Sequence, residues 1–130
     1  MIVGIGCDLT EHRRIQASVE RVGERFVRAF LSEPEFEEWK RRCVLNTKRG
    51  FAFLAGRWAA KEAVAKSLGT GVRGDVRLQD IIVLNDELGA PYLQFEGALA
   101  DRVRRENLKF HISLSDTDTL SMASVVCERI

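Results

Sequence analysis

The sequence predicts an α+β fold in which an antiparallel sheet is packed with helices, one of them long and buried. Three observations carry that expectation. Apolar residues of the first half recur at spacings of three and four, those of the second half fall in short runs, and the late runs are joined by hairpin-like links. The order that follows is β-α-α-α-β-β-α-β-β.

Ile2 to Cys7 is a short apolar run ending at Asp8 and reads as a buried strand. Ile15, Val19, Val22, Phe26 and Phe30 then recur at helical spacing, which predicts one helix with a single apolar face. Ser32-Glu33-Pro34-Glu35 has the form of a capping box with proline in the first turn, and opens a second, polar helix to about Arg42. FAFLAGRWAAKEAVAKSLG predicts a third helix over 51–68, whose alanines let neighbours approach closely, closed by Gly69. Asp80 to Leu84, the turn residues Asn85 to Ala90 and Pro91 to Phe95 read as a hairpin. A helix over 97–106 and strands over 109–114 and 122–127 complete the chain, with a polar turn from Ser115 to Ser121.

The 130 residues fit one domain, 1–130, without repeat or linker. A chain of this size buries roughly two thirds of its unfolded surface, and a hydrophobic content of 45% without low-complexity runs excludes disorder. No apolar run approaches the ~20 residues that cross a bilayer, and MIVGIGCDLT lacks a basic region and a cleavage site. No membrane partner is therefore expected. A net charge of +1 and the lack of a nucleic-acid motif argue against a nucleic-acid partner. Cys7, Cys43 and Cys127 form no Cys-x-x-Cys pair and read as small reduced core residues, which makes the cytoplasm the expected compartment.

Four groups of residues carry candidate chemistry. Asp8 with Glu11 fits a helix N-cap placed after a strand, and a strand-end carboxylate also suits a metal or catalytic site. On the alanine-rich helix, Arg57 and Lys61 lie about 40° apart, while Glu62 and Lys66 share a direction about 140° from Arg57. An i,i+4 pair on a solvated face explains Glu62 and Lys66, yet so apolar a helix has little solvated face, and buried charges need partners, metals or ligands. Gly69-Thr70-Gly71 closes this helix beside Lys66 and leaves backbone accessible to a phosphate, although the order is not that of a Walker A loop. Arg14, Ser18, Arg21, Arg25 and Arg28 recur at +4, +3, +4 and +3, a basic stripe suited to an acidic partner. His12 and His111 have no cysteine or acid at zinc-ligand spacing, and Ser113 and Ser115 lack nucleophile-elbow glycines.

These residues resemble a known pattern. Met1-Ile2-Val3-Gly4-Ile5-Gly6-Cys7-Asp8-Leu9 with Glu11 and Arg14-Ile15 looks like the opening signature of the holo-acyl-carrier-protein synthases, the short bacterial 4′-phosphopantetheinyl transferases. FLAGRWAAKEAVAKSLGTG resembles their second signature, and Leu84 to Pro91 and His111 to Ser115 match as well, so the resemblance covers essentially the whole chain. It implies transfer of the phosphopantetheine arm of coenzyme A to a serine of apo acyl carrier protein, with release of adenosine 3′,5′-bisphosphate, in fatty acid biosynthesis. It further implies a Mg²⁺ ion held by Asp8 and Glu62, with Lys66 beside the reacting phosphates. Either Glu62 or a metal-bound water would take the serine proton.

By the same resemblance Arg14 takes part in docking acidic acyl carrier protein on the first helix, and spacing extends the docking set to Arg21, Arg25 and Arg28. Lys48 and Arg49, just before the long helix, match basic residues near the coenzyme A phosphates, and Gly69, Thr70 and Gly71 join that set. The family fold is α+β, and its members form trimers with sites at subunit interfaces. The chain departs from the pattern at Asp116, where many members have histidine after Ser-Leu-Ser, and at Cys7, where threonine is commoner. The histidine's role does not transfer to a carboxylate, which repels phosphate unless it bonds a backbone or ribose group. Two other classes remain: a non-catalytic adaptor that binds an acidic protein through the arginine stripe, and a small RNA-binding module with salt-sensitive affinity.

Overall fold

The computed structural model of the chain describes residues 1–130. Strand β1 (Ile2–Glu11) pairs antiparallel with β5 (Leu120–Arg129), and β5 pairs antiparallel with β4 (Leu108–Asp116), giving a sheet of order β1-β5-β4. A separate hairpin joins β2 (Ile81–Asn85) to β3 (Pro91–Phe95). Helices α1 (His12–Val22), α2 (Glu24–Arg28), α3 (Glu33–Leu45) and α4 (Thr47–Ser67) lie between β1 and β2, and α5 (Gly97–Arg105) lies between β3 and β4. The α+β class, the hairpin and the long buried helix are as expected. No helix is long and apolar enough to cross a membrane.

Helix α4 is the centre of the molecule because its alanines let everything else come close. Ala55, Ala59, Ala60, Ala63 and Ala65 are fully buried, and the helix separates two cores. One, with Val64, Ile81, Val83, Leu99, Ala123 and Val125, lies toward the strands. The other, with Ile15, Val27, Phe30, Phe36, Trp39 and Phe53, lies toward α1–α3. Contact with β1 is so close that side chains are excluded there. A Cβ on Gly6 would stand 2.0 Å from the Ala63 carbonyl oxygen, and one on Gly4 would stand 1.8 Å from that of Ser67. The opposite face of β1 carries Val3, Ile5, Cys7 and Leu9, all exposed.

Several expectations are corrected. The helix expected over Ile15–Phe30 is two helices, because Gly23 takes φ 81° and ψ −157° between α1 and α2. The three-and-four spacing survives such a break, so periodicity alone does not show it. β1 runs on to Glu11, so Asp8 sits inside the strand opposite Ala123 and caps nothing; Glu11 holds the N-cap position. Lys48 and Arg49 belong to the first turn of α4 and do not precede it. Cys127 is buried, but Cys43 is only partly so and Cys7 is exposed.

Helix α3 is also less polar than its composition indicates, since Glu35, Phe36 and Trp39 are buried. Glu35 Oε1 accepts the Ser32 N–H at 2.8 Å and the Ser32 hydroxyl at 2.9 Å, so the capping residues are those expected. The same oxygen lies 2.6 Å from the Lys61 ammonium, and Glu35 Oε2 accepts the Val83 N–H at 2.9 Å. Lys61 donates further to the carbonyls of Leu78 and Ile81, at 3.0 and 2.5 Å. This fully desolvated ion pair ties α3, α4 and β2 together. It gives Lys61 a structural partner, one of the outcomes open to a charge on so apolar a helix.

Candidate active site

Alternation along β1 decides where the first acidic group goes. Gly4 and Gly6 face α4, and Asp8, two residues on, faces the same way. Its carboxylate accepts the Thr10 hydroxyl at 2.7 Å through Oδ2, and Lys66 Nζ at 3.1 Å through Oδ1. Lys66 also donates to the Cys7 carbonyl at 2.9 Å. Glu62 lies one turn before Lys66 on α4, half-buried, and its carboxylate has no hydrogen-bond donor. Desolvation, and then the negative charge of Asp8, push the Glu62 carboxyl above its usual range, and Lys66 only partly opposes them. The structure thus brings together Asp8, Glu62 and Lys66.

Two neighbouring carboxylates with one ammonium between them leave negative charge uncompensated. Hard oxygen donors in that state fit a divalent cation of the Mg²⁺ kind, which takes one or two carboxylates and completes its shell with water and substrate phosphate. No third acidic, histidine or cysteine ligand joins the pair. Gly69, Thr70 and Gly71 follow α4 directly. Gly69 and Gly71 take positive φ of 83° and 68°, and Gly69 and Thr70 are exposed.

A second feature lies around the helix from this cluster. A cleft of about 240 Å³ opens between the first half of α4 and the β4–β5 end of the sheet. Arg42, Arg49 and Arg57 line one side, and Ser115, Asp116 and Ser121 the other. Arg57 is 7% exposed, and both its guanidinium and that of Arg42 lie over the Phe53 ring, at 4.5 and 4.8 Å from its centroid. Arg42 is paired with Glu38 at 3.0 Å, but Arg57 has only the neutral Asn85 oxygen at 2.7 Å, and its Nε has no partner. Burial, reinforced by Arg42 and opposed by Glu35 and Glu38, pushes Arg57 down to about 10. A buried cation short of acceptors fits an anion such as phosphate.

Lys48 and Arg49 part company here. Arg49 joins this cleft, whereas Lys48 lines another of about 360 Å³ with Glu11, His12 and Asp118. Of the expected docking residues, Arg14 and Arg21 are exposed on α1 without an ion pair, and Arg25 is exposed on α2. Arg28 is engaged: it lies 3.9 Å over the Phe36 ring and 3.9 Å from Glu33. The break at Gly23 means that these arginines do not continue one helical line. Arg42 and Arg57 in the cleft, and Asn85 behind Arg57, were not assigned a ligand-binding role from the sequence. The available signal was Arg57 itself, a cation on an alanine helix with no acid at i±4.

Comparison with known proteins shows which family the chain resembles. The family model for the 4′-phosphopantetheinyl transferase superfamily matches residues 4–123. A holo-[acyl-carrier-protein] synthase of Nitrosomonas eutropha is 44% identical, over 99% of this chain and 100% of the relative. The crystal structure of the holo-[acyl-carrier-protein] synthase of Neisseria meningitidis has a TM-score of 0.90 at 33% identity, covering 99% of this chain and 100% of that one. The Bacillus anthracis synthase, solved in complex with coenzyme A (3′,5′-ADP), has a TM-score of 0.83 at 35% identity, covering 100% and 99%. With the family model matching residues 4–123 and the likeness running from end to end, this chain belongs to the 4′-phosphopantetheinyl transferase superfamily.

Proposed function

We propose that this chain is a holo-acyl-carrier-protein synthase, moving the 4′-phosphopantetheine group of coenzyme A onto a serine of apo acyl carrier protein. The observation that carries this reading is the meeting of Asp8, Glu62 and Lys66 in a chain similar over its whole length to synthases of that name. The serine oxygen attacks the phosphorus that bears the pantetheine arm. A P–O bond to that oxygen forms, the anhydride P–O bond breaks, and adenosine 3′,5′-bisphosphate leaves. Asp8 and Glu62 would hold Mg²⁺, which when bound supplies positive charge to the pyrophosphate oxygens. Lys66, fixed by Asp8 and the Cys7 carbonyl, presents its remaining charge to the same oxygens. Of the two carboxylates in the cluster, Glu62 is the one without a donor, and in this reading it takes the serine proton.

Arg57 and Arg49 bind a phosphate of coenzyme A in the cleft beside Asp116. That phosphate and the Glu62 cluster stand on different sides of α4, about 140° apart. Arg49 and Lys66 are also 17 positions apart, about 25 Å along the axis. One coenzyme A therefore engages both sets most simply between two copies of the chain. The exposed apolar face of Val3, Ile5, Leu9 and Met122 supports such an assembly, and the trimer is its form in this reading. Arg14 and Arg21, with Arg25, receive the acidic carrier protein. Free Cys7, Cys43 and Cys127 accord with a reducing, cytoplasmic setting.

The test is to incubate the protein with apo acyl carrier protein, coenzyme A and Mg²⁺, with and without chelator, and to weigh the carrier protein by mass spectrometry. One phosphopantetheine is expected to be added, and lost with chelator or with Glu62→Gln in a protein whose melting is unchanged. Full turnover by that variant would overturn the assignment of Glu62.

A further inference from the structure

The cleft beside α4 has two chemically different walls. Arg42, Arg49 and Arg57 make one cationic, while Ser115, Asp116 and Ser121 make the other a wall of hydroxyls and one carboxylate. Arg42 is already bound to Glu38, and the Ser121 hydroxyl lies 2.8 Å from His12 Nε2. Arg57 keeps an Nε without an acceptor although nine-tenths buried. Asp116 is exposed at the end of β4, opposite Ser121, and forms neither an ion pair nor a side-chain hydrogen bond. A carboxylate shares a cleft with two guanidiniums that lack ionic partners, yet it does not neutralise them.

We infer that Asp116 is a specificity-determining residue: it accepts a hydrogen bond from an O–H or N–H of the nucleoside beside the phosphate that Arg57 and Arg49 bind, and it repels phosphates that carry no such donor. This rests on the reading of the cleft as part of the coenzyme A site. An ionised carboxylate only accepts, so it needs a donor on the ligand. A ribose hydroxyl or an exocyclic amine supplies one at any pH, whereas pyrophosphate held by guanidiniums as the full anion supplies none. Attraction to the right ligand and repulsion of the wrong one then come from the same group, which raises selectivity more than either alone.

Isothermal titration of the full chain with adenosine 3′,5′-bisphosphate and with inorganic pyrophosphate separates the two effects. Asp116→Ala should weaken the bisphosphate about tenfold, the scale of one hydrogen bond to a charged group, and tighten pyrophosphate about threefold. Asp116→Asn keeps an acceptor without the charge, and should tighten pyrophosphate equally while weakening the bisphosphate less. Both ligands tightening in Asp116→Ala would reduce the residue to simple repulsion and overturn the inference. So would unchanged affinities, with Arg57→Ala still abolishing nucleotide binding; the cleft assignment would then stand without it. A wild-type chain that binds neither probe would remove the cleft assignment and the inference together.

Discussion

Replacing Lys61 by methionine should destabilise the fold by about 3–5 kcal/mol, as expected when one partner of a buried ion pair is removed. Lys61 is 0% exposed and donates three hydrogen bonds, to Glu35 and to the carbonyls of Leu78 and Ile81. Methionine is unbranched and of similar volume, so little cavity is created and the change isolates the ammonium. The Ile81 carbonyl loses its Lys61 donor, at about 1–3 kcal/mol, while that of Leu78 keeps the Ile81 N–H. Glu35 keeps the Ser32 N–H, the Ser32 hydroxyl and the Val83 N–H, so it can take up a proton where it sits. Urea unfolding followed by the fluorescence of Trp39 and Trp58 measures the loss as a lower midpoint at constant slope. In the double variant with Glu35→Gln the cost should fall short of the sum of the single changes, since both remove the same pair. A loss below about 1 kcal/mol, within the net value of a single ordinary hydrogen bond, or full additivity, would refute the claim that this pair joins α3, α4 and β2.

Other consequences are as direct. Arg14→Glu should raise KM for the carrier protein about tenfold while KM for coenzyme A stays within about twofold; equal changes in steady-state assays would contradict the docking role. Gly6→Ala places a Cβ 2.0 Å from a backbone oxygen that cannot rotate away, and thermal unfolding should show a loss of about 2–3 kcal/mol. An unchanged melting temperature would mean that β1 and α4 are not held that close. Hydrogen bonding to Arg41, opposed by burial and helped by hydrogen bonding to Arg42 and the charges of both arginines, holds the Glu38 carboxyl down at about 2. A depressed folded-state pKa stabilises above the unfolded value and is lost as pH falls, here from 4.5 toward 2. Solvent screens this surface group, which limits the effect to under about 1 kcal/mol. Glu38→Gln should flatten acid unfolding in that window, and identical curves for the two proteins would remove the pair from the account.

Where the local code is dominant, the sequence was sufficient. The residues Ser32 and Glu35, the alanine spacing of α4 and the turn from Asp86 to Ala90 each carry their own geometry. Asp8 was misplaced because Asp-x-x-Glu is an equally good cap and strand end locally; its pairing with Ala123, more than a hundred residues away, decides the matter. The break at Gly23 was hidden because a helix turn and a kinked pair of helices present the same apolar spacing. Glu35 was read only as a capping acid, yet it is also the buried partner of Lys61, which no spacing rule connects to it. The anion cleft depends on Arg42, Arg57 and Asp116 arriving from three elements, so its residues were visible while the cleft was not.

The arrangement on α4 has a consequence for activity that a single chain cannot produce. Arg57 and Glu62 leave the helix on different sides, Arg57 held by Asn85 and Phe53, Glu62 lying beside Asp8 and Lys66. If one coenzyme A uses the guanidinium of one copy and the carboxylates of the next, two inactive variants complement each other. Arg57→Ala and Glu62→Gln, each alone without turnover, should recover activity when unfolded and refolded together. In a ring of head-to-tail interfaces with random mixing, about one interface in four pairs an intact Arg57 with an intact Glu62. About a quarter of wild-type activity is therefore the expected ceiling. Recovery must depend on mixing before refolding, because preassembled rings present only damaged interfaces. No recovery, with the refolded mixture assembled like wild type, would place both residues in a site within one chain, and coenzyme A would then have to wrap around α4.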